Sequence, residues 1–169
     1  MRRLIKKFVR SKYSKQEREI IATVEQFGWL FRFVFDPDGV EPDFGYSVGF
    51  TKTLNAPEFI VFGLPKDLMH HMLSEVYEQV SAGRVPEDGM RWDDVLEGFQ
   101  CISRRALVKD LHTKYTTAAD WFWRNSENEG QPQVFQLVWP GAKQGLFPWE
   151  EGCAQEVIDQ QPNLWKHIV

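Results

Sequence analysis

The sequence predicts an α+β fold: a single domain with a mixed or mostly antiparallel sheet and helices packed on one face. Three observations predict it. The chain has 169 residues, a length suited to one domain. It is 43% hydrophobic and 14% aromatic, too apolar for a disordered chain and sufficient for a core without metal or disulfide staples. Its segments follow the order α-β-β-β-α-β-α-β-α, which favours an antiparallel or mixed sheet over a purely parallel one.

The elements read as follows. Ser14-Lys15-Gln16-Glu17 has the form of a capping box, and Ile20, Ile21, Val24 and Phe27 follow at helical spacing, with Gly28 able to end the helix in the left-handed conformation. Residues 29–35 place an aromatic at every odd position and read as a strand, closed by the turn residues Asp36-Pro37-Asp38-Gly39. Residues 44–50 read as a second strand, and residues 58–62 as a short buried third. Gly63-Leu64-Pro65 turns into a helix with Leu68, Met69, Met72, Leu73, Val76, Tyr77 and Val80 on one face, ended by Gly83. Residues 84–98 hold Pro86, Gly89 and several acids and are expected to form a surface loop. A fourth strand is expected over 99–108, a helix from Asp110 to Trp123, a fifth strand over 134–139, and a last helix over 153–160.

Charge divides the chain unevenly. Residues 1–18 carry eight basic side chains against one acid, leaving twelve basic and twenty-three acidic residues in the rest. This basic N-terminal arm (1–18) is expected to stand apart from the domain (19–169) and to be dispensable for folding. It is also the one segment through which nucleic acid or a membrane surface could be met. No apolar run approaches the ~20 residues of a membrane span, and no secretory leader is recognised, so the expected compartment is the cytoplasm. Cys101 and Cys153 lie far apart without a Cys-x-x-Cys partner, and both are expected to be reduced and non-nucleophilic.

The common catalytic and nucleotide-binding signatures are missing: no phosphate-binding glycine loop, no G-x-S-x-G and no H-E-x-x-H. His70 and His71 are neighbours on one helix, so their side chains diverge by ~100° and do not chelate one metal; no metal is expected. The expected site is a small-molecule pocket. Glu58 follows Pro57 at the mouth of a buried strand, where a carboxylate must be paired, bonded or raised in pKa, the condition of a general acid or base. The alternative is a structural Glu58, paired with Arg104 or Arg105 or accepting backbone N–H groups. Tyr46 and Gln136 are expected to hydrogen-bond the ligand, and Trp139 and Trp149 to stack on it. His70 and Tyr115 complete the expected ligand-binding set. Strand alternation puts Gln136 and Trp139 on opposite faces, so Gln136 should lie near Glu58 with Trp149 closing the site. The competing reading is a non-enzymatic accessory or interaction domain meeting a protein partner through exposed aromatics. No cofactor is identified.

The motifs Tyr46-Ser47-Val48-Gly49-Phe50, Pro57-Glu58-Phe59-Ile60-Val61-Phe62-Gly63-Leu64-Pro65, Gln136-Leu137-Val138-Trp139-Pro140, Gly145-Leu146-Phe147-Pro148-Trp149-Glu150 and Gln161-Pro162 occur here in order. In these the chain resembles a bacterial family of domains of unknown function, numbered 4262, over roughly residues 20–165. The resemblance implies one compact domain and no assigned activity. The family pattern often reads Trp-Pro-Asp, whereas this chain has Gly141 at the third position, which removes that carboxylate from any role here.

Overall fold

The computed structural model describes residues 12–166. Helix α1 (Lys15–Phe27) opens it, and its start is the capping box read from sequence: the Ser14 hydroxyl accepts the Glu17 N–H, while the Glu17 carboxylate accepts the Ser14 N–H. Gly28 ends the helix at φ 89°, where its N–H returns to the Val24 carbonyl. Lys15 to Arg18 therefore belong to the first turn of α1, and residues 1–11 of the basic arm lie outside the described residues.

Six strands form one sheet in the order β1-β2-β3-β6-β5-β4: β1 (Leu30–Val34), β2 (Phe44–Val48), β3 (Glu58–Phe62), β4 (Met90–Leu96), β5 (Phe99–Arg105) and β6 (Val134–Val138). Every neighbouring pair is antiparallel except β3 and β6, which run parallel with Ile60 opposite Gln136. The α+β class and the mixed, mostly antiparallel sheet agree with the sequence.

Helix placement refines the expectation of one covered face. All residues of β2, β3 and β6 are buried, so both faces need a cover. On one face α3 (Lys66–Ser81) lays Met69, Met72, Leu73 and Val76 on Phe59, Val61, Phe135, Leu137 and Trp92. On the other, α1 and α4 (Thr117–Asn125) pack Val24, Ala119 and Phe122 with Tyr46, Ile60 and Phe62.

Four local expectations are corrected. Residues 84–98 are not all loop: β4 lies there and pairs with β5, because Trp92 and Val95 reach the core while Arg91, Asp93 and Asp94 face water. Its register shifts between Trp92 and Leu96, with Asp94 at φ 61°, a bulge that hid the alternation. The second strand stops at Val48 instead of Phe50. Gly49 turns at φ 110° into the short helix α2 (Phe50–Thr53), and a side chain there would press on Val24. The helix expected from Asp110 is broken into a π-helical turn (Leu111–Tyr115) and α4. Thr116 sits at the break, its hydroxyl bonded to the Leu111 carbonyl and to His112 Nδ1, which competes with a continuous ladder. The last helix, α5, is confined to Gln155–Gln160.

Candidate functional site: the Trp139 cleft and the polar centre of the sheet

Glu58 begins β3 and is 1% exposed. One carboxylate oxygen accepts the Gly49 N–H at 3.0 Å and the Ser47 hydroxyl at 3.4 Å; the other accepts the Thr51 N–H at 3.1 Å. The Ser47 oxygen in turn accepts the Phe59 N–H at 2.9 Å. Glu58 thus satisfies the orphan N–H groups at the start of α2 from a distant strand, as a capping side chain does. Its partners are those backbone N–H groups, not Arg104 or Arg105. Burial pushes its pKa up to about 8, against the downward pull of the Thr51, Phe50 and Gly49 N–H groups and the Ser47 hydroxyl.

Tyr46 and Gln136 share the face of Ile60, in register across β2, β3 and β6. The Tyr46 oxygen accepts the Ala118 N–H at 3.1 Å in the first turn of α4, and burial raises its pKa. Gln136 donates to the Pro162 carbonyl at 2.8 Å and accepts the Leu164 N–H at 3.2 Å, fastening the C-terminal segment to the sheet. Gln136 and Glu58 lie on the same face two residues apart on neighbouring strands, but their side-chain ends turn to different backbone groups. Tyr115 is buried edge-on against Phe44 and Phe62, with ring centroids 5.6 and 5.5 Å away. His70 is exposed on α3 and lies flat on Phe31 at 4.7 Å, its edge toward Trp29. His112, on the π-helical turn, bonds Thr116, and burial lowers its pKa. No group of three or more His, Cys, Asp or Glu among the described residues could hold a metal ion. Both cysteines are free, and burial pushes the Cys101 thiol up to about 12, which disfavours the thiolate.

Trp139 lies just beyond β6 on the α3 face. Its indole N–H donates to the Phe62 carbonyl at 2.7 Å, so the ring bridges the carboxyl ends of the parallel strands β3 and β6. The Gln161 side chain holds the Trp139 backbone on both sides, accepting its N–H at 3.0 Å and donating to its carbonyl at 2.8 Å. The loop after Trp139 is tied by Gly141 N–H to the Leu146 carbonyl and by Gly145 N–H to the Gly141 carbonyl. Between this loop and α5 lies a cleft of about 410 Å³. Trp139, Ala142, Ala154 and Val157 supply its apolar wall, and Lys143 and Glu156 its opposite charges. Of the expected ligand-binding residues, Trp139 lines this cleft and the others do not.

Trp149 is 40% exposed and stands elsewhere on the surface, stacked on Phe147 at 5.1 Å and edge-on to Trp165. The Arg104 guanidinium lies over both tryptophans, 5.0 and 5.5 Å from their ring centres, while bonding Asp88. Sequence reading missed Ser47, Gln161, Lys143 and Val157. Ser47 and Gln161 carried a signal, as parts of the Tyr46-Ser47-Val48-Gly49-Phe50 and Gln161-Pro162 motifs; Lys143 and Val157 carried none. No helix among the described residues is long and apolar enough to cross a membrane. A family model described as Domain of unknown function (DUF4262) matches residues 23–154. Comparison with curated proteins and with solved structures returns no match.

Proposed function

The chain belongs to the DUF4262 family, whose description names no activity, and from that premise we propose that the domain binds a small molecule in the cleft at Trp139. The observation that carries this reading is the pre-formed cleft of about 410 Å³ at the carboxyl ends of β3 and β6. Ligand pockets span roughly 300–1,000 Å³ and combine apolar walls with a few polar groups. In sheets with parallel strands, the region beyond the carboxyl ends is a frequent binding position. The Gln161 clamp and the Trp139–Phe62 bond hold the wall before any ligand arrives, which lowers the ordering cost of binding. The indole offers a flat apolar surface, and Lys143 and Glu156 offer charges of both signs at the rim.

A thermal-shift screen of polar, partly apolar metabolites tests this reading. Wild type and Ala142→Trp are compared, because Ala142 is exposed on the loop that lines the cleft and a tryptophan there would occupy it without replacing a core residue. A ligand at a hundred times its Kd stabilises the folded state by about 2.7 kcal/mol. The expected result is a set of compounds that stabilise wild type and leave Ala142→Trp unmoved. Equal responses from both proteins, or none from either, would count against the cleft. A second reading, a protein-binding surface, is supported by the exposed Trp149 and the half-buried Trp165 and Arg104 that pack on it. A protein partner whose capture depends on Trp149 and not on Ala142 would favour it.

A further inference from the structure

The two edges of the sheet are guarded differently. The outer strand on one side, β4, carries the exposed Arg91, Asp93 and Asp94 and a bulge, the devices by which natural sheets discourage pairing with another chain. On the opposite side β1 has no bulge and no fully exposed charge. It pairs with β2 without a shift from Leu30–Val48 to Val34–Phe44 and contains one charge, Arg32. Among the described residues no strand covers its outer edge. Large apolar side chains around it are exposed: Phe27 at 64%, Phe35 at 61% and Val40 at 82%. The Arg32 Nε is buried and has no hydrogen-bond partner among the described residues.

We propose that the β1 edge pairs with the β1 edge of a second copy of this chain, antiparallel about a two-fold axis at Phe33. In this register Phe33 faces Phe33 of the second copy, and Phe31 faces its Phe35. The cross-strand aromatic pairs cover the exposed Phe35 ring, which already stacks on Phe33 at 6.2 Å. Arg32 then stands opposite Val34 of the second copy and diagonal to its Asp36. Asp36 is held as an anion, its carboxyl pKa lowered by the N–H groups of Glu41, Asp38 and Val40. The two-fold creates that arginine–carboxylate proximity twice. A register centred on Arg32 instead puts two like charges face to face, which is destabilising. The pairing is isologous and closes at two copies, with β4 as the guarded outer edge of the joined sheet.

Sedimentation velocity of the full chain over a concentration series tests the proposal. The expected mass approaches twice 19.8 kDa as concentration rises. Phe35→Lys, at an exposed position, should return the mass to the monomer with unchanged circular dichroism, whereas Asp93→Lys on β4 should leave the dimer intact. The register is read by oxidative cross-linking in a Cys153→Ser background. Phe33→Cys should link to its copy and Arg32→Cys should not, because only residues opposite themselves across the axis come within disulfide reach. A wild type that stays at 19.8 kDa at every soluble concentration overturns the proposal, and that is also the result if residues 1–11 cover the edge. A dimer that survives Phe35→Lys, or a link through Arg32→Cys, overturns it equally.

Discussion

At the centre of the sheet, Glu58, Tyr46 and Gln136 turn their polar atoms to backbone groups of other elements: the start of α2, the start of α4 and the C-terminal segment. At the rim, beside Trp139, polar side chains such as Lys143 and Glu156 surround a cleft instead. The difference teaches where chemistry can reside in this fold. A polar group taken into the core must be bonded, and the nearest unpaired donors and acceptors are those at the ends of helices and strands. Buried polar residues therefore become joints between elements. At the rim the backbone groups are already paired and the side chains around the cleft have no such joint to make, which is why the proposed ligand contact is placed there.

The sharpest way to break this comparison is to remove a central joint. Glu58→Ala leaves the buried Gly49 N–H and the part-buried Thr51 N–H without their acceptor and loosens Ser47. The expected loss is about 3 kcal/mol or more in urea unfolding. A loss below about 1 kcal/mol would mean that water or backbone movement replaces the carboxylate, and the centre would no longer differ from the rim.

The next effect is a pH dependence confined to the centre. The Glu58 pKa is about 8 in the fold against an ordinary value of 4.5. Stability from this group is complete below pH 4.5 and declines as pH rises through about 8, because the folded state holds the proton that the unfolded chain has released. His112, lowered by burial, acts in the opposite sense. The measurement is therefore the difference between wild type and Glu58→Gln. Between about pH 5 and pH 8 wild type should lose stability relative to Glu58→Gln by on the order of 3 kcal/mol. Parallel pH profiles for the two proteins would show that Glu58 is ionised in the fold.

Smaller effects sharpen the boundary between the regions. Gln161→Ala strands the buried N–H and carbonyl of Trp139 and should cost about 2 kcal/mol. Trp149→Ala removes a half-open ring from the surface cluster and should cost less than about 1 kcal/mol. Chemical denaturation of both variants gives the comparison; equal costs would place the Trp149 cluster inside the core.

The sequence by itself determined the features whose partners are close along the chain. The capping box Ser14–Glu17, the left-handed Gly28, the aromatic alternation of β1 and the apolar face of α3 follow from spacing over one to four residues, the α+β class follows from the order of such elements, and all are present. The tertiary structure decided what pairs across long separations. Ala118 donates to Tyr46 over 72 residues and Trp139 to Phe62 over 77, and neither distance leaves a periodic mark. The same reason explains β4, whose bulge erased the alternation that Trp92 and Val95 needed the core to reveal. It also explains the site. The residue types that suggest chemistry were legible at Glu58, Tyr46 and Gln136, but whether a polar atom faces a ligand or a neighbouring backbone depends on what the fold brings beside it. The cleft at Trp139 exists because Gln161, Val157 and the loop after β6 meet there, residues drawn together by packing and not by sequence proximity.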